Sequence, residues 1–269
     1  MEEIFFLDGK RIETPPALRA LFYGEGVFES FRWKGRAPVF LSMHLERMRR
    51  GARFLGIPFP SESAVRLHIE KSAAKAKGED LHLKACLLGD GDTVFYSRPQ
   101  IASLFVSVKH RVQPPKSVSV CVCGQRRSAK NRLFSHKTLN YLENVLAKRQ
   151  ALENGFEEVL FLDTDGNVAE TSCHNVFWVK EKKLFTPSSE CPVLPGVTRE
   201  IILRLAARIG YETASGSFSI EELLSSDYVF LTNAVAGIVY VSGVDGDALS
   251  PPPGGYEILR KSLFFELGW

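Results

Sequence analysis

The strongest constraint on the fold lies between Ser135 and Arg199, where an amphipathic run, a pair of strand-like runs and a second helical run follow one another. Apolar residues recur three or four positions apart over residues 137–152, which predicts a helix there. Asp165-Gly166 then separates two apolar runs, and this dipeptide favours a β-hairpin turn. Helices and hairpins in this order, without a regular βαβ rhythm, are typical of mixed sheets.

The remaining patterns divide the chain into two units. Strand-like runs at residues 4–7, 26–33, 81–88 and 101–108 alternate with helical patterns at 44–55 and about 63–75. Val112-Gln-Pro-Pro-Lys-Ser indicates a break between units. We therefore predict an α+β protein with mixed sheets. Residues 1–112 would form a small N-terminal α/β domain, 113–135 an interdomain strand and loop, and 136–269 a larger C-terminal domain.

Composition and charge exclude several classes of function. The 269 residues are 45% hydrophobic and 24% charged, and the formal net charge is +3 without a basic run that contains aromatic residues. We therefore predict no nucleic-acid partner. The longest apolar runs are strand-sized, so no membrane partner is expected either. The first residues, Met1-Glu-Glu, lack the pattern of a secretory signal, which predicts a cytoplasmic location.

Cysteine and histidine usage suggests neither redox nor metal chemistry. The cysteines are odd in number and show no paired Cys-x-x-Cys spacing, which favours buried structural thiols. Cys121 and Cys123 would share one face of a strand, which is poor geometry for a zinc site. The six histidines lack the spacing of metal ligands, so no metal site is predicted. The cysteines are Cys86, Cys121, Cys123, Cys173 and Cys191.

Three residue types in the region 135–199 point to one kind of site. A desolvated lysine loses proton affinity and becomes an imine-forming nucleophile, a role that suits Lys137 at the start of an apolar helix. Glu170 follows a hairpin and would keep the nitrogen of a pyridine ring protonated. Gly196-Val-Thr198 begins a helix of the kind that binds phosphate, and Arg47 would add a guanidinium fork. Alone, Lys137, Glu170 and Arg47 are more typical of surface residues, and Gly196-Val-Thr198 is typical of many helix starts. In this order they predict a pyridoxal phosphate site.

Five motifs spread over nearly the whole chain support this interpretation. They are Tyr23-Gly-Glu-Gly-Val-Phe-Glu-Ser30, His44-x-x-Arg47, Lys137-Thr-Leu-Asn-Tyr141, Glu170-Thr-Ser-Cys-His-Asn-Val-Phe177 and Leu194-Pro-Gly-Val-Thr-Arg199. With them the chain resembles the class IV, fold-type IV, pyridoxal phosphate enzymes. These include branched-chain aminotransferases, D-amino acid aminotransferases and 4-amino-4-deoxychorismate lyases. The resemblance implies a homodimer with the active site in the interdomain cleft, pyridoxal 5'-phosphate as cofactor and a small-molecule amino substrate.

The resemblance also implies roles for single residues. Lys137 would hold the cofactor as a Schiff base and move protons, Glu170 would bind the ring nitrogen, and Tyr141 would reach the 3′ oxygen. The phosphate would be bound by Arg47, Val197, Thr198, Asn233 and Ala234. The substrate side would be lined by Tyr23, Phe28, Ser30 and Arg98.

The sequence favours the lyase among the reactions of this family. Lys137-Thr-Leu-Asn-Tyr141 and Thr232-Asn-Ala resemble lyase sequences, and Ser30 supplies a hydroxyl where lyases often carry threonine. In contrast, Tyr96-Ser-Arg98-Pro resembles a substrate-pocket segment of branched-chain aminotransferases. We expect a 4-amino-4-deoxychorismate lyase that releases pyruvate and 4-aminobenzoate for folate biosynthesis. The alternatives are an aminotransferase of branched-chain or D-amino acids and a non-catalytic binding protein. The basic loop at residues 126–132 would either attract an anionic substrate or be a solvated connector.

Overall fold

The computed structural model describes residues 5–7, 10–12, 17–76, 78–251 and 253–269. Its helices are α1 (Leu18–Tyr23), α2 (Leu41–Leu55), α3 (Glu62–Lys75), α4 (Leu142–Glu153), α5 (Val197–Arg208), α6 (Ile220–Leu224) and α7 (Gly254–Leu267). Its strands are β1 (Phe5–Leu7), β2 (Lys10–Ile12), β3 (Gly26–Lys34), β4 (Asp80–Asp90), β5 (Ile101–His110), β6 (Ser117–Arg127), β7 (Glu158–Asp163), β8 (Val168–Thr171), β9 (Asn175–Lys180), β10 (Lys183–Pro187), β11 (Glu212–Gly216), β12 (Tyr228–Asn233), β13 (Gly237–Val244) and β14 (Asp247–Ala248). Within these ranges, none of the helices is long and apolar enough to traverse a bilayer.

A three-stranded antiparallel sheet, in the order β3-β4-β5, forms the first structural unit. Helices α2 and α3 pack on it because each buries an apolar stripe, as the sequence periodicity predicts. Leu45 and Met48 of α2 and Ile69 of α3 meet Phe31 and Leu83 of the sheet in one buried cluster. Each such side chain contributes about 1.5–3 kcal/mol relative to an exposed position. The helix α2 is thereby fixed over β3, which positions the polar residues that both elements carry.

The second unit is a nine-stranded mixed sheet that closes on itself. Six of its strands are hydrogen-bonded to their neighbours in the order β9-β12-β13-β6-β7-β8. Because β8 also pairs with β9, these six strands form a barrel. Strands β10 and β11 extend the sheet from β9, and β14 pairs with β13. Helices α5 and α7 pack on one face through Ile202, Leu205, Leu259 and Leu263. The two units meet where the Arg32 N–H of β3 donates to the Ala234 carbonyl after β12, at 2.9 Å.

Most of the predicted elements are present with slightly different ends. The strands predicted at 26–33, 81–88 and 101–108 each continue for one to three more residues in β3, β4 and β5. The turn pair Asp165-Gly166 joins β7 and β8, with Gly166 at φ +87°, a conformation that favours glycine. The first predicted strand corresponds to β1, whereas Ile4 lies outside the described residues. The domain boundaries at 112 and 135 stay a prediction.

The prediction that a helix begins at Lys137 is wrong, since α4 begins at Leu142. Residues 137–139 instead lie extended against β3. The Phe28 N–H donates to the Lys137 carbonyl at 2.8 Å, and the Leu139 N–H donates to the Gly26 carbonyl at 2.9 Å. The second bond satisfies the Leu139 N–H, which would lack a partner in the first turn of a helix. Lys137 is therefore held by a strand-like pairing between the two units.

Candidate active site

A cavity of about 280 Å³ lies between the three-stranded sheet and the barrel. It brings together ten of the side chains nominated from the sequence, although they come from six separate stretches of chain. They are Phe28, Ser30, Arg47, Lys137, Tyr141, Glu170, Val197, Thr198, Asn233 and Ala234. A larger cavity, of about 1010 Å³, is lined by other residues and contains none of the twelve nominated ones. The smaller cavity is therefore the candidate active site.

Lys137 presents its amine inside this cavity. Its Nζ donates to the Tyr141 hydroxyl at 3.2 Å and lies 4.4 Å from the centre of the Phe28 ring. Burial disfavours the charged amine, and the positive charge of Arg47 adds to this effect, so the pKa of Lys137 falls from 10.5 to about 8. A substantial fraction of the amine is thus neutral and nucleophilic near neutral pH.

Glu170, on β8, is the buried carboxylate of the cavity. Its Oε2 accepts from the Leu194 N–H at 3.0 Å and from the Asn175 side-chain amide at 3.2 Å, while its Oε1 accepts from Arg127 at 3.4 Å. Burial raises the pKa of Glu170 to about 7, although Arg127 and the Leu194 amide act in the opposite direction. A carboxyl that titrates near neutrality can share a proton with a weakly basic ring nitrogen.

Arg127 bonds the Glu170 carboxylate and was not predicted to belong to the site. The sequence places it in a basic loop, but β6 continues to Arg127 and turns its side chain fully inward. Its guanidinium bonds Glu143 at 2.9 Å and Asn144 at 3.1 Å and lies 3.5 Å from the centre of the Phe161 ring. Both alternatives for the segment 126–132, a loop that attracts an anionic substrate and a solvated connector, are therefore wrong for Arg127, which is buried at the end of a strand. Strand alternation gives no signal for it, because continued alternation from the buried Val118 and Val120 would bury Arg126. A register shift between Val122 and Arg126 turns Arg127 inward instead.

Arg47 is held by the buried carboxylate of Glu29. Glu29 lies in the first of the five motifs but was not predicted to belong to the site. The Arg47 Nε and Nη2 donate to the two oxygens of Glu29 at 2.8 and 2.6 Å, and His44 contacts the same carboxylate at 2.7 Å. The Arg47 Nη1 donates to the Pro195 carbonyl at 3.1 Å. This bidentate pairing fixes the guanidinium plane, and the N–H groups that remain are available to an anion in the cavity.

The start of α5 fits a phosphate group. Gly196 is the N-cap of this twelve-residue helix, and no side chain caps the first turn. The Thr198 hydroxyl, and the Thr232 hydroxyl opposite, are buried and have no hydrogen-bond partner among the described residues. A Cβ on Gly196 would lie 1.9 Å from Asn175 Oδ1, so only glycine allows this close approach. The phosphate of pyridoxal phosphate suits this end of the cavity, which offers the first amides of α5, the two buried hydroxyls and Arg47.

The turn between β8 and β9 adds two residues that the sequence reasoning did not nominate for the site. Cys173 is exposed at the cavity, so the prediction that the cysteines are buried is wrong for this thiol; Cys86 and Cys191 are buried. His174 Nδ1 lies 3.3 Å from Cys173 Sγ and 3.2 Å from Glu158 Oε2. Burial opposes the charge of His174, but Cys173 and Glu158 outweigh it and raise the pKa of His174 to about 10.

Two nominated substrate residues do not line the cavity. The Tyr23 hydroxyl donates to the Thr93 carbonyl at 2.5 Å, which turns this ring toward the loop between β4 and β5. Arg98 belongs to the same loop and is exposed, with its aliphatic stem near Gly56. Within one chain, the expectation that Tyr23 and Arg98 line the substrate side is therefore not met.

Comparisons with known proteins agree with this fold. The family model for amino-transferase class IV matches residues 26–244. An aminodeoxychorismate lyase of Bacillus subtilis is 31% identical over 88% of this chain and 85% of its own length. A putative branched-chain-amino-acid aminotransferase of Methanocaldococcus jannaschii is 28% identical over 95% and 92%. The crystal structure of a putative 4-amino-4-deoxychorismate lyase from Legionella pneumophila superposes with a TM-score of 0.85 at 29% identity, covering 92% of this chain and 93% of that one.

The match to the family model covers most of the chain, and the relatives align over nearly its whole length. The fold is therefore the α+β architecture of the fold-type IV enzymes, as the motifs predict. The chain belongs to the class IV aminotransferase family, whose members are pyridoxal-phosphate-dependent enzymes.

Proposed function

We propose that the protein is a 4-amino-4-deoxychorismate lyase, which releases pyruvate and 4-aminobenzoate. The observation that supports this most directly is the polar wall of the cavity, where Ser30, His82, Cys173 and His174 line the space together with Phe28. The carboxylates of such a substrate can pair with these groups. An aliphatic side chain would instead leave them desolvated without partners.

In this proposal Lys137 and Tyr141 manage the protons of the reaction. Pyridoxal phosphate, when bound, withdraws electrons and so weakens the bonds next to the substrate's amine. The Lys137 amine would hold the cofactor, and the Nζ of the free amine would take up and return protons. A pKa of about 8 suits both directions of transfer near neutral pH. The Tyr141 hydroxyl, 3.2 Å from Nζ, would orient this amine and reach the cofactor's 3′ oxygen.

The remaining nominated residues would anchor the cofactor. Glu170 would hold the ring nitrogen, and Arg127 and the Leu194 amide would keep its carboxylate in place. The phosphate would be bound by Arg47, by the Val197 and Thr198 amides, by the Thr198 hydroxyl and by the turn at Asn233 and Ala234. The proposed phosphate site is supported by the buried hydroxyls of Thr198 and Thr232, which have no partner among the described residues.

The atom balance of the reaction gives a direct test. 4-Amino-4-deoxychorismate contains all the atoms of 4-aminobenzoate plus pyruvate, so a lyase requires no second substrate, whereas an aminotransferase requires an amino acceptor. We expect the purified holoenzyme to form 4-aminobenzoate and pyruvate in equal amounts without any added keto acid. Chromatography of the products with 4-amino-4-deoxychorismate, and separately with leucine plus 2-oxoglutarate, measures both activities. Formation of glutamate alone would contradict the proposal.

An aminotransferase of branched-chain amino acids is the second candidate. The segment Tyr96-Ser-Arg98-Pro and the 28% identical relative support it. If Arg98 served the pocket of the same chain, it would have to move away from its exposed position near Gly56. We therefore place this activity second, and the leucine assay above tests it.

We also propose that the protein is a homodimer. Large apolar side chains are exposed on α4, where Leu142 and Leu146 are 66% and 53% accessible, and on the edge strand β5, where Ile101 and Phe105 are 59% and 58% accessible. Apolar groups at this density are typical of surfaces that another chain covers. Light scattering is expected to give twice the chain mass of 30.0 kDa. A monomer at micromolar concentration would contradict this proposal.

The lowered pKa of Lys137 predicts how cofactor attachment depends on pH. Only the neutral amine attacks the aldehyde, and this form predominates above the pKa and declines below it. We expect the attachment rate in the cofactor-free protein to rise about tenfold per pH unit below the pKa and to level off above it. Stopped-flow absorbance should place the midpoint at about 8. A midpoint near 10.5, the ordinary lysine value, would contradict the desolvation of this amine.

A further inference from the structure

We propose that Glu158, Cys173 and His174 form a zinc-binding site in the wall of the cofactor cavity. These residues offer a carboxylate oxygen, a sulfur and an imidazole nitrogen that all lie within 4.8 Å of one another. They come from the start of β7 and from the turn between β8 and β9, so the barrel itself brings them together. Their sequence spacing gives no sign of this cluster.

The distances between the three atoms match those between the ligands of a tetrahedral zinc ion. Cys173 Sγ lies 3.3 Å from His174 Nδ1 and 3.5 Å from Glu158 Oε2, and the latter two atoms are 3.2 Å apart. Zinc–ligand bonds of about 2.0–2.3 Å at tetrahedral angles place neighbouring ligand atoms about 3.3–3.6 Å apart. A zinc ion at the centre would therefore require only small movements of the side chains, and it would displace the proton of the His174 imidazole.

The carboxylate is already oriented for this role. Glu158 Oε1 accepts from the Ser172 hydroxyl at 2.6 Å and from the Val159 N–H at 2.9 Å, which leaves Oε2 directed at the cysteine and the histidine. Such outer hydrogen bonds hold metal ligands in position. Lys148 Nζ lies 3.4 Å from Oε2 and competes for it. Its side chain is 32% accessible on a flexible stem, so it can move into solvent when a cation binds.

The donor set selects the metal and leaves one position open. One thiolate, one imidazole and one carboxylate suit a borderline-soft cation such as Zn²⁺ better than Mg²⁺ or Ca²⁺. Three protein ligands leave a fourth position, as in open zinc sites. Because Cys173 and His174 line the cavity, an amine or carboxylate of a small molecule there can supply the fourth ligand. Bound zinc would also narrow the cavity and add positive charge beside the substrate.

Direct metal binding by the holoenzyme tests the site independently of turnover. After treatment with a chelator and its removal, the protein is titrated with Zn²⁺ against a chromophoric chelator. We expect one tight equivalent in the wild type and an affinity at least about tenfold weaker in Cys173→Ala and Glu158→Gln. Cys123→Ser, which changes a half-buried thiol outside the cluster, should bind like the wild type. Each variant is compared with the wild type at equal cofactor content, measured by absorbance, so metal bound by the cofactor cancels.

Cobalt substitution identifies the ligands. Co²⁺ bound to the wild type should show a thiolate-to-metal charge-transfer band and tetrahedral visible bands, and Cys173→Ala should lose the former. Cys173 is exposed, so this variant is expected to fold, and thermal melting checks that Glu158→Gln does too. Equal zinc affinity in the wild type and Cys173→Ala would overturn the proposal. A cobalt spectrum without a thiolate band would overturn it as well.

Discussion

Replacement of Lys137 by alanine is expected to lower turnover by about 10⁴-fold or more, because one side chain both carries the cofactor and moves the proton. Lys137 is the lysine among the described residues that line the cavity. Its lowered pKa gives it the neutral amine that both roles require. Borohydride reduction of the wild-type holoenzyme, followed by peptide mass mapping, should place the reduced cofactor on the peptide that contains Lys137. The variant should give no such adduct.

Lys84 provides the matched control for this experiment. Its amine lies 4.2 Å from the centre of the Phe28 ring, as close to that ring as the Lys137 amine, but Lys84 does not line the cavity. Lys84→Ala should still give the reduced adduct on Lys137. An adduct on another side chain in the wild type would contradict the central role of Lys137, and so would an alanine variant that keeps full turnover.

Local features of the sequence were enough to find most of the site. The motifs that contain Lys137, Glu170 and Gly196 each lie at or across an element boundary. The chemistry of a helix start or a strand end is specified by adjacent residues. These boundaries converge on one cavity because β8, β9 and α5 belong to one barrel unit. The capping box of α6 likewise depends on adjacent residues, Ser219 and Glu222, and both of its hydrogen bonds are present.

The position of Lys137 itself shows what local reasoning misses. Apolar periodicity assigned it to a helix, yet residues 137–139 pair with β3, more than one hundred residues earlier in the chain. A backbone pairing over that separation leaves no trace in a window of a dozen residues. It determines the site nevertheless, because it places the amine between the two units.

Buried charges are the second class of residue that sequence reasoning did not identify. Arg127, Glu29 and Glu158 look like surface residues when their neighbours in sequence are considered alone. Each is almost completely buried and is paired with a partner at least fourteen positions away. Burial of a charge is tolerated only with such a partner, and the partner is known only once the fold is known. The cytoplasmic location stays a prediction from the first residues, and the lack of a nucleic-acid partner stays a prediction from composition and charge.

The buried network of Glu29, His44 and Arg47 is expected to give the largest effect on stability. Glu29 is fully buried, and its removal would leave Arg47 charged and without its carboxylate. We expect Glu29→Ala to lower the free energy of unfolding by about 3–5 kcal/mol. Glu46→Ala changes a carboxylate on the same helix as Arg47, in an exposed pair with Arg49, and should cost no more than about 1 kcal/mol. Calorimetric melting temperatures compare the two variants.

The pH dependence of melting separates the charge of Glu29 from its packing. Burial opposes the charge of Glu29, but Arg47 and His44 outweigh it and lower the pKa of this carboxyl from 4.5 to about 2. A folded-state pKa below the unfolded one stabilises the fold above pH 4.5, and this contribution is lost as the pH falls toward 2. The wild type should therefore lose more melting temperature over that range than Glu29→Ala does.

Replacing Glu29 and Arg47 together by methionine should restore most of the stability at neutral pH, because no buried charge then lacks a partner. If Glu29→Ala and Glu46→Ala melted alike at neutral pH, the network would not be what holds Arg47 in place.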